Sequence, residues 1–236
     1  MTTPTWNRRR FVSSLAGAPL AGMGDHRGQP RVLAATAAGT PTVSAVQGLQ
    51  LLVAGNRRYV AGSLTSPGKL NSQRGHLTQG QAPFATVVCC SDSRVPPEVV
   101  FDQPLGQLFV IRVAGQVLDE AARSSIMYGV DALKTPLLLV LGHEQCGAVI
   151  AAVDALHGTA PPDYAFRFVE GIGPAAAGVL AQPGDVVDHA VRANIKMGVD
   201  QLKSSQPVLA TAVSRGQVTI VGGYYSLHTG AVTIIA

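Results

Sequence analysis

The sequence predicts an α/β fold with a mostly parallel central sheet that helices flank on both faces. Three apolar runs without polar alternation, at 84–90, 108–113 and 137–141, are typical of strands buried on both faces. Helix-like segments separate or follow these runs, and strands that alternate with helices favour parallel pairing. Two further runs, 218–221 and 231–235, predict a C-terminal hairpin that adds an edge strand.

The helices are predicted from apolar spacing and from the residues at their ends. Ser44 is a candidate N-cap for the first helix, and Asp119 lies in the first turn of the second. Residues 63–83 are rich in Ser, Gly, Pro and Gln and predict a surface loop, whereas 157–184 show no clear pattern. The predicted helices are 44–62, 119–134, 146–156 and 185–204.

Residues 1–37 are predicted to be an export leader, and residues 38–236 a single domain. The sequence Asn-Arg-Arg-Arg-Phe-Val at 7–12 resembles a bacterial twin-arginine signal, and a short apolar stretch, 11–23, follows it. We therefore expect a periplasmic or secreted protein; the alternative is a cytoplasmic protein with a basic N-terminus. The apolar stretch is too short and too rich in glycine for a stable membrane span, and no later segment reaches transmembrane length uninterrupted.

The formal net charge of +4 comes from the predicted leader. Residues 1–37 contain five arginines and one aspartate, and the remaining 13 basic and 13 acidic residues cancel. A near-neutral domain lacks the basic surface that nucleic-acid binding requires, so we expect no nucleic-acid partner.

Three residues that can bind a metal lie where predicted strands end. Cys90 ends the first strand, His143 ends the third, and Cys146 lies in the first turn of the next helix. The carboxyl ends of parallel strands share one rim of a sheet, so the three side chains are expected to meet. Two thiolates and one imidazole can hold zinc and leave its fourth position open, as in catalytic sites. The helix N-terminus is expected to lower the pKa of the Cys146 thiol.

Asp92 and Arg94 are the charged residues closest to Cys90 in sequence, and they predict a charged switch beside bound water. Two alternatives stay open: Asp92 is a permanent fourth ligand of a structural zinc, or the two residues form an ordinary ion pair that caps a loop. Cys89 points to the opposite face of its strand and is expected to pack in the core. A redox function of Cys90 and Cys146 is disfavoured because their spacing is not Cys-x-x-Cys.

Two motifs resemble the signatures of the β-class carbonic anhydrases: Cys-Ser-Asp-Ser-Arg-Val-Pro-Pro-Glu at 90–98 and Gly-His-Glu-Gln-Cys-Gly-Ala-Val at 142–149. The resemblance extends from about Ser44 to the C-terminus. It implies that Cys90, His143 and Cys146 bind Zn²⁺. It also implies reversible hydration of carbon dioxide to bicarbonate and a proton through a zinc-bound hydroxide. Because part of the pocket comes from a neighbouring subunit in this family, it implies a homodimer or a multiple of dimers.

The same resemblance assigns roles to the residues around the metal. Asp92 accepts a hydrogen bond from the bound water while Arg94 holds it away from the metal; in the inactive state Asp92 is the fourth ligand. The positions of the substrate pocket are Gln81, Phe109, Tyr128 and Gly147. For Tyr128 a core aromatic, and for Gln81 a loop residue, remain the alternatives.

The sequence departs from the family in one motif near the pocket. Residues 112–116 read Arg-Val-Ala-Gly-Gln, where the family usually has Arg-Asn-Ala-Gly-Asn, so altered local hydrogen bonding is expected. Two other functions stay open: hydrolysis of carbon disulfide or carbonyl sulfide on the same fold, and a non-catalytic, zinc-stabilised assembly module. The Asp92–Arg94 pair speaks against the second, because a structural site has no use for it.

Overall fold

The structure is a computed structural model that describes residues 41–66, 74–205 and 207–236. The predicted leader, 1–37, lies outside the described residues, as does part of the predicted loop 63–83. Within the described ranges, no helix combines the length and the apolar character that crossing a membrane requires.

The central sheet of the described chain has five strands in the order β2-β1-β3-β4-β5. They are β1 (Ala85–Cys89), β2 (Leu108–Arg112), β3 (Leu137–His143), β4 (Thr219–Tyr225) and β5 (Val232–Ile234). Strands β1 to β4 pair in parallel, and β5 pairs antiparallel with β4 at the edge. The prediction of a mostly parallel sheet with a C-terminal hairpin is confirmed.

Seven α-helices are present in the described residues. They are α1 (Ala45–Val60), α2 (Pro97–Val100), α3 (Glu120–Met127), α4 (Gly147–Leu156), α5 (Phe166–Ala177), α6 (Val186–Lys203) and α7 (Val208–Ser214). The predicted helix 119–134 is divided, because a π-helical turn over Tyr128–Ala132 follows α3. Helix α5 lies in the stretch 157–184 that showed no pattern, and the short helices α2 and α7 were not predicted either.

Side chains at the predicted helix starts cap the helices. Ser44 Oγ accepts a hydrogen bond from the Gln47 N–H at 3.3 Å, and Gln47 Oε1 accepts one from the Ser44 N–H at 2.9 Å. This reciprocal pair is a capping box. Asp119 caps α3 and Asp185 caps α6 through their carboxylates. The sequence therefore placed these three helix starts correctly.

Helices cover both faces of the sheet. On one face, Leu52 of α1 packs in a cluster with Val87 and Leu139. On the other, Val199 of α6 packs with Val88 and Val140. Alternation along β1 and β3 directs successive side chains to opposite layers.

The strand register places the candidate ligands on one rim. Cys89 lies beside Leu141 in the parallel pairing of β1 and β3, so Cys90 follows level with Gly142, one residue before His143. Cys89 itself is buried on the α1 side, as predicted, and burial raises the pKa of its thiol to about 12.

Helix α1 also holds the C-terminal hairpin in place through one buried side chain. Asn56 donates from Nδ2 to the carbonyl oxygens of Val100, at 3.1 Å, and Gly230, at 2.9 Å. Its Oδ1 accepts from the Val232 N–H at 2.8 Å. All of its hydrogen-bonding groups face backbone partners, so this buried amide fixes where the hairpin approaches the rest of the chain.

Candidate metal centre

Three buried ligand atoms converge at the carboxyl rim of the sheet. The sulfur atoms of Cys90 and Cys146 are 3.9 Å apart, and these two atoms and a ring nitrogen of His143 all lie within 4.8 Å of one another. Two sulfur ligands of a tetrahedral zinc ion, each about 2.3 Å from the metal, are separated by about 3.8 Å. The cluster predicted from the sequence is therefore assembled, with a spacing that suits zinc.

The hydrogen bond of His143 determines which ring nitrogen is free for a metal. Nδ1 lies 2.9 Å from the carbonyl oxygen of Glu144 and donates to it, because a carbonyl can only accept. Nε2 then carries the lone pair. It is buried and has no hydrogen-bond partner among the described residues. A buried nitrogen with an unused lone pair beside two sulfur atoms fits a metal ligand.

The pKa values of the two thiols in the cluster are shifted in opposite directions. The hydrogen bond from Cys146, together with one from the Gly115 N–H at 3.3 Å, lowers the pKa of Cys90 well below its usual range. The pKa of Cys146 is raised, because its S–H donates to Cys90 and because it is buried. The amides at the start of α4 lower the pKa of Cys146, as expected, but the hydrogen bond to Cys90 and burial outweigh them.

Asp92 and Arg94 form a two-pronged ion pair beside the cluster. Arg94 donates from Nε to Oδ1 at 2.9 Å and from Nη2 to Oδ2 at 2.7 Å, and its backbone N–H also donates to Oδ1. These hydrogen bonds hold the pKa of Asp92 well below its usual range. Asp92 Oδ2 lies 3.9 Å from His143 Nε2, so the carboxylate faces the cluster while it remains bound to Arg94.

Arg112 supports the loop that carries Asp92, and the sequence analysis gave it no role. Its Nε donates to the Cys90 carbonyl at 3.1 Å and its Nη2 to the Asp92 carbonyl at 2.5 Å. Arg112 lies beside Cys89 in the β1–β2 register. An arginine at the end of an otherwise apolar predicted strand was the available signal.

Comparison with known proteins agrees with the family that the two motifs indicate. Residues 85–232 match the family model described as carbonic anhydrase. A carbonic anhydrase of Mycolicibacterium smegmatis is 39% identical over 197 residues, which are 82% of this chain and 95% of that protein. The Coccomyxa β-carbonic anhydrase, solved in complex with acetazolamide, is 28% identical with a TM-score of 0.64, over 79% of this chain and 86% of that one. The chain belongs to the β-class carbonic anhydrases.

The fold of this carbonic anhydrase also matches more distant structures. One of the two tetrameric β-carbonic anhydrases of Sordaria macrospora is 20% identical, with a TM-score of 0.64 over 70% of this chain and 87% of that one. At this identity the likeness concerns the fold alone.

Two residues expected in the carbonic anhydrase pocket lie away from the ligands of their own chain. The rings of Phe109 and Tyr128 pack together with centroids 5.8 Å apart. Phe109 lies beside Thr86 in the pairing of β1 with β2. Thr86 precedes Cys90 by four residues, which is about 13 Å along the strand. If either residue borders the metal centre, the centre belongs to a neighbouring subunit, as the family resemblance implies.

The other two expected pocket residues differ in position. Gly147 is exposed at the start of α4, directly after Cys146, and nothing lies within 4 Å of a Cβ placed there. Gln81 is half-buried and comes shortly before β1. The pocket roles of all four residues remain predictions.

The departure from the family motif at residues 112–116 has a structural consequence. Gln116 is 3% exposed and has a φ of 46°, a backbone region that asparagine tolerates better than glutamine. Neither Nε2 nor Oε1 of its amide has a hydrogen-bond partner in the described structure. The local hydrogen bonding is thus incomplete at this position.

Proposed function

We propose that the chain catalyses the reversible hydration of carbon dioxide to bicarbonate and a proton, with Zn²⁺ held by Cys90, His143 and Cys146. The observation that carries this proposal is the unpartnered Nε2 of His143 within a buried Cys–His–Cys cluster. When bound, zinc lowers the pKa of a coordinated water and so supplies a hydroxide nucleophile near neutral pH, an effect for which carbonic anhydrase is the standard example.

Asp92 orients the attacking oxygen atom by accepting a hydrogen bond from it. The pKa of Asp92 lies far below neutral, so the carboxylate stays ionised and can only accept. Because the Asp92 carboxylate can only accept, the attacking oxygen must carry a proton to bond to it. That hydrogen bond orients the oxygen so that a lone pair points towards the substrate. Arg94 holds the carboxylate in this position through its two side-chain hydrogen bonds.

We further propose that substrate reaches this centre through a pocket completed by a second subunit, in a homodimer or a multiple of dimers. Phe109 and Tyr128 provide apolar surface suited to carbon dioxide, and Gln81 an amide that can bind bicarbonate. Gly147 leaves space beside Cys146. The outer face of α1 supports a subunit contact, because Val46 and Leu51 are 68% and 42% exposed there. The Sordaria macrospora enzymes are tetrameric.

We propose periplasmic or secreted localisation from the twin-arginine-like sequence at 7–12 alone. Comparison of the N-terminus of the mature protein in periplasmic and cytoplasmic fractions tests it. Full-length chain confined to the cytoplasm would contradict export.

Stopped-flow measurement of carbon dioxide hydration from pH 6.5 to 9, on zinc-quantified full-length protein, tests the activity. We expect about one zinc per chain and a rate that rises with pH. Two thiolate ligands donate more charge to the metal than imidazoles do, which raises the pKa of a coordinated water. Asp92→Ala should lower kcat/KM about 100-fold, the order expected when a group that positions a reacting atom is lost. The matched control is Asp154→Ala, an exposed carboxylate on α4.

Two outcomes would redirect the proposal. Full zinc occupancy without hydration, but with turnover of carbonyl sulfide or carbon disulfide, would identify the sulfur-substrate hydrolase. Full occupancy with neither activity, and an Asp92→Ala variant that matches the parent in every assay, would identify a zinc-stabilised assembly module.

A further inference from the structure

We propose that Glu144 is a positioning residue of the metal centre, which acts on His143 without touching the metal. Its carboxylate is tied to the C-terminal hairpin, and its carbonyl oxygen fixes the orientation and the tautomer of the His143 ring. This inference rests on the proposed metal function, which it deepens by adding a residue that lies between two ligands in sequence but is not a ligand.

Both backbone groups of Glu144, its N–H and its carbonyl, form hydrogen bonds. Its N–H donates to the Tyr225 carbonyl at 2.8 Å and so extends the pairing of β3 with β4 by one residue. Its carbonyl oxygen accepts the His143 Nδ1–H at 2.9 Å. The direction of that carbonyl therefore decides whether Nδ1 or Nε2 of His143 carries the proton.

The carboxylate of Glu144 ends on the turn that connects β4 to β5. Oε2 accepts from the Ser226 hydroxyl at 2.9 Å and from the His228 N–H at 3.0 Å. The Ser226 oxygen in turn accepts from the Thr229 N–H at 3.3 Å, so its own proton is free for Glu144. Hydrogen bonds to an ionised acceptor are stronger than neutral ones, which makes this connection a firm one.

The turn is itself anchored on its far side. Asn56 of α1 donates to the Gly230 carbonyl and accepts from the Val232 N–H. A continuous series of hydrogen bonds therefore runs from α1 through the hairpin turn to Glu144 and from there to the metal-binding histidine. Without the carboxylate, the Glu144 N–H still donates to the Tyr225 carbonyl. The carbonyl group of Glu144 belongs to the following peptide group and can then rotate away from Nδ1.

Loss of this support should weaken metal binding without removing a ligand. Substitution of residues that orient a metal-binding histidine typically lowers metal affinity about 10- to 100-fold. Because the Glu144 carboxylate acts through its own carbonyl, we expect about tenfold for Glu144→Ala, and a smaller loss for Glu144→Gln, which retains one oxygen acceptor.

Chelator competition on full-length protein measures the zinc affinity. The variants are Glu144→Ala, Glu144→Gln, Ser226→Ala and the double variant Glu144→Ala/Ser226→Ala. The matched control is Glu170→Ala, whose carboxylate is 60% exposed and pairs with the exposed Arg167. If both residues act through one connection, the double variant should bind zinc no more weakly than Glu144→Ala does, and Glu170→Ala should match the parent.

The tautomer of His143 provides a second measurement that needs neither metal nor activity. In ¹⁵N NMR spectra of the metal-free protein at pH 8, we expect the proton on Nδ1 in the parent and a mixture of tautomers in Glu144→Ala. An unchanged tautomer with an unchanged zinc affinity would overturn the role of Glu144 and leave the proposed function intact. A parent that binds no zinc would overturn the proposed function, and the NMR comparison would still decide the role of Glu144.

Discussion

The buried carboxylate of Asp102 should contribute strongly to folding stability, and Asp102→Asn tests this with almost no change of shape. The Asp102 side chain is fully buried, and its oxygens accept from Arg58 Nε at 2.5 Å, Ser66 N at 2.8 Å, Thr65 Oγ1 at 2.9 Å and Thr65 N at 3.0 Å. All of these partners are donors. An amide would therefore direct an NH₂ group at other donors in either orientation.

The expected loss of stability for Asp102→Asn at pH 7 is about 3 kcal/mol. Breaking a buried ion pair by removing one charge costs about 3–5 kcal/mol, and the lower end applies because Arg58 is 36% exposed and can turn to water. For a chain of this size the change corresponds to a decrease in Tm of about 6–12 °C. The control Asp131→Asn removes a carboxylate that is 69% exposed and should change stability by less than about 0.5 kcal/mol.

The pH dependence of this difference gives an independent check. Burial alone would raise the pKa of Asp102, but Arg58 and the donors of Ser66 and Thr65 outweigh it and hold the pKa well below its usual range. A depressed pKa stabilises the folded state above the unfolded pKa of about 3.9, and this stability is lost as the pH falls. The difference in the free energy of unfolding between parent and Asp102→Asn should therefore be about 1.3 kcal/mol smaller at pH 3 than at pH 7.

Urea unfolding followed by circular dichroism at pH 7 and pH 3 measures both quantities. A difference below about 1 kcal/mol at pH 7 would refute the reasoning, because a fully buried carboxylate with four donors cannot be that dispensable. A difference of 3 kcal/mol that does not shrink at pH 3 would refute the part that depends on ionisation.

Three further predictions concern the metal centre and its surroundings. Arg112→Lys keeps the charge but loses the fork that holds the carbonyls of Cys90 and Asp92, so kcat/KM should fall about tenfold with unchanged zinc content; an unchanged rate in stopped-flow assays would contradict this role. Gln116→Met replaces a buried amide, which has no hydrogen-bond partner among the described residues, with an apolar side chain of similar volume. The free energy of unfolding should rise by about 1 kcal/mol; a fall of that size would mean that the amide has a partner. Zinc removal by dipicolinate should abolish hydration. Iodoacetamide should then label Cys90, whose pKa is lowered, well before Cys89, whose pKa is raised to about 12, as read by mass spectrometry; faster labelling of Cys89 would reverse the assignment of the two strand faces.

The position of the candidate metal ligands followed from the sequence because it depends on two local properties and one general rule. The apolar runs that end at Cys90 and His143 define buried strands, and parallel strands bring their carboxyl ends to one rim. Ser44 indicated a helix start because a capping side chain acts on residues directly after it. Asp119 did so because acidic residues favour the first turn of a helix. Neither argument needs knowledge of distant contacts.

The features that sequence analysis missed depend on contacts between distant segments or on weak local patterns. Glu144 meets Ser226 only because β3 pairs with β4 in one particular register. The raised pKa of Cys146 depends on the short distance to Cys90. Helix α5 was missed because Gly171, Gly173 and Pro174 lie inside it, and glycine and proline are the residues least favourable in a helix interior.

Cys89 and Cys90 are neighbours whose side chains point to opposite faces of β1. A metal bound at this rim would therefore not determine the register of the strand by itself. A shift of β1 by one residue exchanges the two faces, so it would deliver Cys89 to the metal in place of Cys90 with the same sulfur ligand. Zinc binding alone does not reject that arrangement. The hydroxyl groups of Thr86 and Thr135, buried and 2.8 Å apart, do reject it. In the shifted strand Thr86 would face the apolar layer beneath α1 with its hydroxyl unpaired, at a cost of about 1–3 kcal/mol. The pairing of Thr86 with Thr135, several residues along the strand from Cys90, thus favours Cys90 over Cys89 as the candidate ligand.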